Sequence, residues 1–184
     1  DNNKQQKTDT VPVDFQQRFQ AVDSTIEIKS VETDEGKILH YIDEGNPHGH
    51  PVLLITGFGT SITAALLTTH LAQLRDDLDI RLLSLQRNGF GDQAYQDGWN
   101  YDDYVAEVIS LLEILEIDDF HIFAISGGGP YAAFVTQTLG ARIKSLHVAA
   151  AITGNNRIND KSTLPASLGL LCQIASGDTP LASV

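Results

Sequence analysis

Phe120-His121-Ile122-Phe123-Ala124-Ile125-Ser126-Gly127-Gly128-Gly129-Pro130-Tyr131 is a short apolar run that stops abruptly at one serine and three glycines. Its first six residues are too few for a typical helix and too continuously apolar for a strand with one wet face. They predict a strand buried on both sides of a parallel sheet. Beyond the serine, Tyr131, Phe134, Val135 and Leu139 fall at helical spacing as far as Gly140, so a helix is expected almost at once. Ser126 therefore sits in a sharp strand-to-helix turn. Such a turn needs small residues on either side, because a larger side chain would collide with the crossing strand or helix. Ala124 and Gly128 meet that need. A Gly-rich turn also suits phosphate binding, or a tight connection without chemistry.

Upstream, residues 24–30 alternate (Ile26, Ile28), Asp34-Glu35-Gly36 reads as a turn, and residues 37–42 alternate again, predicting an antiparallel hairpin. Residues 45–51 read as a loop. Its His48 and His50 lack carboxylate partners and are expected to be solvated, so no metal site is predicted. Residues 52–55 form the next buried strand and run into Thr56-Gly57-Phe58-Gly59-Thr60-Ser61. Ala64, Leu67, Leu71 and Leu74 mark a helix face, and residues 79–85 another strand, leading into Gln86-Arg87-Asn88-Gly89-Phe90-Gly91-Asp92. Residues 100–116 give the clearest helix, with Val105, Val108, Ile109, Leu112 and Leu115 inward. Asp102, Asp103 and Glu107 fall near its start, where the helix dipole favours acids. Residues 143–152 read as one more buried strand, within which His147, like His121 earlier, is expected to be a satisfied core residue. The order hairpin, strand, helix, strand, helix, strand, helix, strand implies an α/β fold: a mostly parallel sheet with helices on both faces and its working edge at the strand C-termini.

With 42% hydrophobic and 20% charged residues, the 184-residue chain is globular in type. Twelve basic against 24 acidic residues give a formal charge of −12, which disfavours nucleic acid and anionic bilayers and leaves a small molecule as the expected partner. A solvated acidic surface accounts for the same charge. Cys172 is the only cysteine, so an intrachain disulfide and a cysteine-based zinc site are excluded. No apolar run approaches the length of a membrane span, and the polar start lacks the apolar segment of a signal peptide. The cellular address stays open, with the cytoplasm as the default, and the sequence is silent on oligomeric state.

Ala124-Ile125-Ser126-Gly127-Gly128 resembles the nucleophile elbow of the α/β-hydrolase superfamily in its serine branch, with Ala124 where glycine is usual. Gly129-Pro130-Tyr131-Ala132 is a familiar continuation of that motif. Gly57-Phe58-Gly59 resembles the family's His-Gly-X-Gly segment, with Thr56 in place of histidine. Gln86-Arg87-Asn88-Gly89-Phe90-Gly91-Asp92 resembles its Asp-Arg-Pro-Gly-X-Gly loop. There Arg87 is expected in a structural ion pair or in solvent, ahead of contact with an anionic substrate. The likeness spans residues 24–152 and implies Ser126 as nucleophile, the Phe58 and Gly127 amides as oxyanion hole, and no cofactor. Serine at the elbow argues against dehalogenase and epoxide-hydrolase chemistry, which in related proteins uses aspartate.

In this family the acid and histidine follow the serine in the chain. After Ser126 the sequence offers only His147, Asp160 and Asp178. The expectation is an N-terminal polar extension over 1–23, the first part of a hydrolase core over 24–152, and the start of a cap over 153–184. The acid and histidine are expected beyond Val184. The chain as given is expected to be inactive alone. Two readings remain: a serine hydrolase of esters or related acyl compounds, and a non-catalytic binding module on the same fold.

Overall fold

The computed structural model describes residues 27–63 and 75–151. Six strands form one mixed sheet in the order β1-β2-β4-β3-β5-β6. They are β1 (Lys29–Glu32), β2 (Ile38–Gly45), β3 (His50–Ile55), β4 (Ile80–Leu85), β5 (Phe120–Ile125) and β6 (Ile143–Ala149). The first two pair antiparallel, Lys29 opposite Tyr41 and Glu32 opposite Ile38, and β2 runs antiparallel to β4. From β4 onward neighbouring strands are parallel. Gly36 closes the hairpin at φ +79°, a backbone setting that costs glycine little and other residues more. The hairpin and the mostly parallel sheet agree with the sequence reading. Strand β2 continues to Gly45, and β3 begins at His50, so the intervening loop is shorter than expected.

Helix α1 (Tyr101–Ile114) starts on a capping box: the Asn100 side chain accepts from the Asp102 amide at 2.8 Å, and Asp103 accepts from the Asn100 amide at 2.8 Å. Helix α2 (Gly128–Leu139) begins three residues before its first apolar position, directly after the serine turn. Both helices pack on one face of the sheet, because β4 to β5 and β5 to β6 cross in the same direction and such crossovers share one hand. Tyr104, Val108, Leu111 and Leu112 of α1 meet Leu53, Leu83, Phe120 and Ile122 there. Each such buried side chain contributes about 1.5–3 kcal/mol relative to exposure.

Glu107 does not act at the helix start. It is buried, and one of its oxygens accepts from Lys37 Nζ at 2.5 Å and from Trp99 Nε1 at 2.7 Å, tying the hairpin to α1. At the other end of the sheet Arg81 grips Asp43 with two hydrogen bonds, at 2.8 and 2.9 Å. Burial alone would raise the Asp43 carboxyl. The bonds and charge of Arg81, with Lys29 adding to them, hold it below its ordinary value.

Two expectations are corrected. Strand β5 buries Phe120, Ile122 and Ala124 completely, but its other face is only partly covered, with Ile125 37% exposed, since both described helices lie on the opposite side. Strand β6 is not buried. It has only β5 beside it among the described residues, and Leu146 and Val148 are exposed. The helix expected over Ala64 to Leu74, the polar extension over 1–23 and the start of a cap over 153–184 fall outside the described residues. Among those described, no helix is long and apolar enough to cross a membrane.

Candidate active site

Strand β3 lies between β4 and β5, so the chain leaves it for one neighbour and returns to the other. The crevice at the C-terminal ends of β3 and β5 is therefore the switch point where open α/β sheets place their ligands. The turns after these two strands meet there. Ser126 has φ +51°, a left-handed setting that costs a residue with a side chain about 1–3 kcal/mol. Its amide donates to the Ala149 carbonyl at 2.9 Å and its carbonyl accepts from the Gly129 amide at 3.2 Å, which holds the strained residue in place.

Three glycines let the turns close on one another. A methyl on Gly128 would stand 2.9 Å from both the Ile55 carbonyl carbon and the Thr56 carbonyl oxygen, and closer still to the Ile55 oxygen. Helix α2 thus starts pressed against the end of β3. A methyl on Gly127 would stand 2.8 Å from the Phe58 amide nitrogen, and one on Gly57 would stand 3.3 Å from Ser126 Cβ. Neither the Phe58 nor the Gly127 amide donates to another described backbone group. Two free N–H groups beside one serine can receive an oxygen that becomes negative. The Phe58 ring is 58% exposed at the rim.

The loop after β3 is braced from beneath. Thr56, standing where the resemblance calls for histidine, is buried and donates its hydroxyl to the Thr60 carbonyl at 3.1 Å. The Thr60 amide donates to the Gly57 carbonyl at 3.2 Å. Arg87 reaches the same carbonyl through Nη2 at 2.5 Å, and the Thr56 hydroxyl at 3.5 Å. Only 6% exposed, it forms no ion pair among the described residues. Its guanidinium lies 5.3 Å from the Phe90 ring centre and 5.1 Å from that of Tyr131. The expected ion pair or solvated arginine is thus replaced by a buried cation between two rings. Burial raises the Tyr131 phenol, with the Arg87 charge acting against it.

His147 does not reach the serine. It pairs in register with Phe123, three residues before Ser126, or roughly 10 Å along the strand. It is exposed, and its Nε2 lies 3.1 Å from Ser145 Oγ, which lies 2.7 Å from His121 Nδ1. His121 is half-buried. Burial, then the charges of His50, Lys144 and His147, lower its pKa. Both histidines have partners, but neither is in the core. His50 opens β3 and meets His121 edge-on at 6.4 Å, and no metal-holding cluster occurs among the described residues.

These side chains line an apolar trough of about 880 Å³, together with Val52, Leu54, Leu82 and Phe123. It runs from His50 and Ile80 at the strand N-termini to Ser126 and Phe58. Most of it lies away from the serine, and it has the character of a packing surface. The sequence signals placed Ser126, Gly127 and Phe58 in turns, and the structure brings those turns together. Those signals carried nothing to show that Arg87 and Thr56 hold the loop, because that link joins residues some thirty positions apart.

No protein-family model matches the chain. Among solved structures, an epoxide hydrolase of the α/β-hydrolase superfamily from hot-environment metagenomes superposes with TM-score 0.64 at 20% identity, over 86% of this chain and 61% of its own. A probable hydrolytic enzyme of Pseudomonas aeruginosa gives 0.60 at 18% identity, over 71% and 43%. A variant of the enzyme that recognises and cleaves the ring of the Pseudomonas quinolone signal, solved with its substrate, gives 0.58 at 24%, over 72% and 49%. The chain thus spans less than two thirds of the length of each of these structures. It has the α/β-hydrolase fold.

Proposed function

We propose that this α/β-hydrolase fold carries the nucleophile and oxyanion hole of a serine hydrolase that cleaves an ester or related acyl bond. The observation that carries the reading is Ser126 at φ +51° between a parallel strand and a helix, with the Phe58 and Gly127 amides beside it. In the reaction Ser126 Oγ attacks the carbonyl carbon and its proton passes to a base. The carbonyl oxygen takes the negative charge and is held by the two amides. Collapse expels the alcohol and leaves an acyl group on Ser126, which water then removes as the acid. The base and the acid that orients it are not among the described residues. No cofactor enters these steps.

Serine at the turn favours acyl transfer over the epoxide opening that names one of the structural neighbours, since related proteins use aspartate for it. The free hydroxyl and open rim fit a small organic substrate. The test is reaction of the full-length protein with a fluorophosphonate probe. Labelling is expected at Ser126 and should be lost in Ser126→Ala. Labelling that survives the substitution would exclude Ser126 as nucleophile. A protein that binds a small ligand but neither labels nor turns over activated esters would be the non-catalytic module instead.

A further inference from the structure

We infer that Arg87 is a positioning residue for the oxyanion hole, acting through the Gly57–Phe58 peptide; the inference rests on the hydrolase reading above. The carbonyl of Gly57 and the N–H of Phe58 belong to one planar trans peptide and point in opposite directions. Whatever grips the carbonyl aims the amide. Arg87 Nη2 grips it at 2.5 Å from the buried side of the loop, and the Phe58 amide nitrogen lies on the other side, facing Gly127.

Two features argue that the charge matters, and not the bond alone. Burying a guanidinium without a carboxylate is costly, and a neutral donor, the Thr60 amide, already holds the same carbonyl at 3.2 Å, so what Arg87 adds is a second grip that carries charge. Arg87 is 6% exposed and forms no ion pair among the described residues; it meets the Gly57 carbonyl, the Thr56 hydroxyl, the ring of Phe90, and the ring and hydroxyl of Tyr131. A full positive charge on the carbonyl oxygen draws electron density through the amide and strengthens its N–H as a donor. An acidic partner would cancel much of that field. The two rings hold the cation without pairing it to a carboxylate among the described residues. Gly57 completes the arrangement, since it sets no side chain between this peptide and Ser126.

The inference is tested in the full-length protein with the single variants Arg87→Met, Arg87→Lys and Phe58→Pro and the double variants R87M/F58P and R87K/F58P. Turnover of a 4-nitrophenyl ester is followed together with the rate of fluorophosphonate labelling. R87M should lower kcat about 30–100-fold with KM within about threefold, approaching the loss of an oxyanion donor itself. R87K, keeping the charge but not the fork, should lose about tenfold. In the F58P background, where the amide N–H is gone, either substitution should cost less than about threefold more. Losses that multiply in the double variants, or an R87M kcat within about twofold of the parent, would overturn the inference. Should R87M fail to fold, the R87K cycle decides.

A protein that neither labels nor turns over ester would defeat the hydrolase reading, and the role of Arg87 is then read from the Phe58 amide resonance. R87K should shift that resonance and Ser126→Ala should leave it in place. A Phe58 resonance indifferent to R87K would overturn the inference without reference to activity.

Discussion

Replacing Gly128 with alanine adds one methyl group where helix α2 presses against the end of β3. The new carbon would lie 2.9 Å from the Thr56 oxygen and from the Ile55 carbonyl carbon, and closer still to the Ile55 oxygen, against about 3.4 Å for ordinary contact. Helix α2 must therefore back away from β3 by roughly 0.5–1 Å. Overpacking of this kind costs about 1–3 kcal/mol, while alanine gains at most about 1 kcal/mol of helix propensity over glycine. Strain wins, and a net loss of about 1–2 kcal/mol should lower Tm by roughly 2–8 °C in a protein of this size. The same shift carries Ser126 and the Gly127 amide away from Phe58. A misplacement approaching 1 Å can cost about 100-fold in rate, so fluorophosphonate labelling should slow by about 10–100-fold. Gly140→Ala is the control: that glycine is helical, at φ −52° and ψ −33°, with nothing within 4 Å of an added carbon. It should gain about 0.4–1 kcal/mol and label normally. Thermal unfolding and labelling rates of the full-length protein and both variants read the outcome. A Gly128→Ala variant as stable and as reactive as its parent would refute the claim that the joint positions the serine.

Phe58→Ala keeps the amide and removes an exposed ring, so kcat on a small activated ester should stay within about threefold, while preference between short and long acyl chains should change. A loss as large as that of Phe58→Pro would put the ring, and not the amide, at the centre of the site. His121 has a pKa held below its ordinary 6.5, first by burial and then by the charges around it. The unfolded chain therefore binds a proton more readily than the native one, so stability rises with pH up to about 6.5 and is lost on acidification below it. The fall in Tm between about pH 7.5 and about pH 5.5 should be smaller in His121→Asn; identical falls would show that the histidine does not contribute.

Where a sequence signal was local, it held. The glycines around Ser126 and Phe58 mark turns, Gly57, Gly127 and Gly128 because a side chain would meet the facing turn and Gly59 because its φ is +68°, and the bounds of β5 follow from the apolar run itself. Residues 50 and 51, read as the end of a loop, open β3, and Pro51 is no obstacle to it. It is accommodated one residue inside the strand start, where pairing with β5 has not yet begun. Glu107 and Arg87 were misread for one shared reason. Each is a charge whose partners, Lys37 and Trp99 or the Gly57 carbonyl, come from other turns of the chain. Periodicity reports which face a residue occupies, but not what waits on it. His147 and β6 were read as buried because their apolar neighbours promised a covered strand, whereas cover depends on what packs against them.

The position of β3 also sets the timetable of folding. Val52 pairs with Leu82, 30 positions later (52 to 82), and with His121, 69 positions later (52 to 121). Strand β3, in the middle of the sheet, is thus made early and waits for β5 before its second side is closed. At about 5–20 residues per second, a ribosome needs roughly 4–14 s to pass from Ile55 to Ile125. For that interval the Val52-Leu53-Leu54-Ile55 segment presents an unpaired apolar edge. A sheet dominated by distant pairings closes slowly for the same entropic reason. An unpaired apolar edge is open to aggregation during those seconds, and the serine turn is formed only when the interval ends.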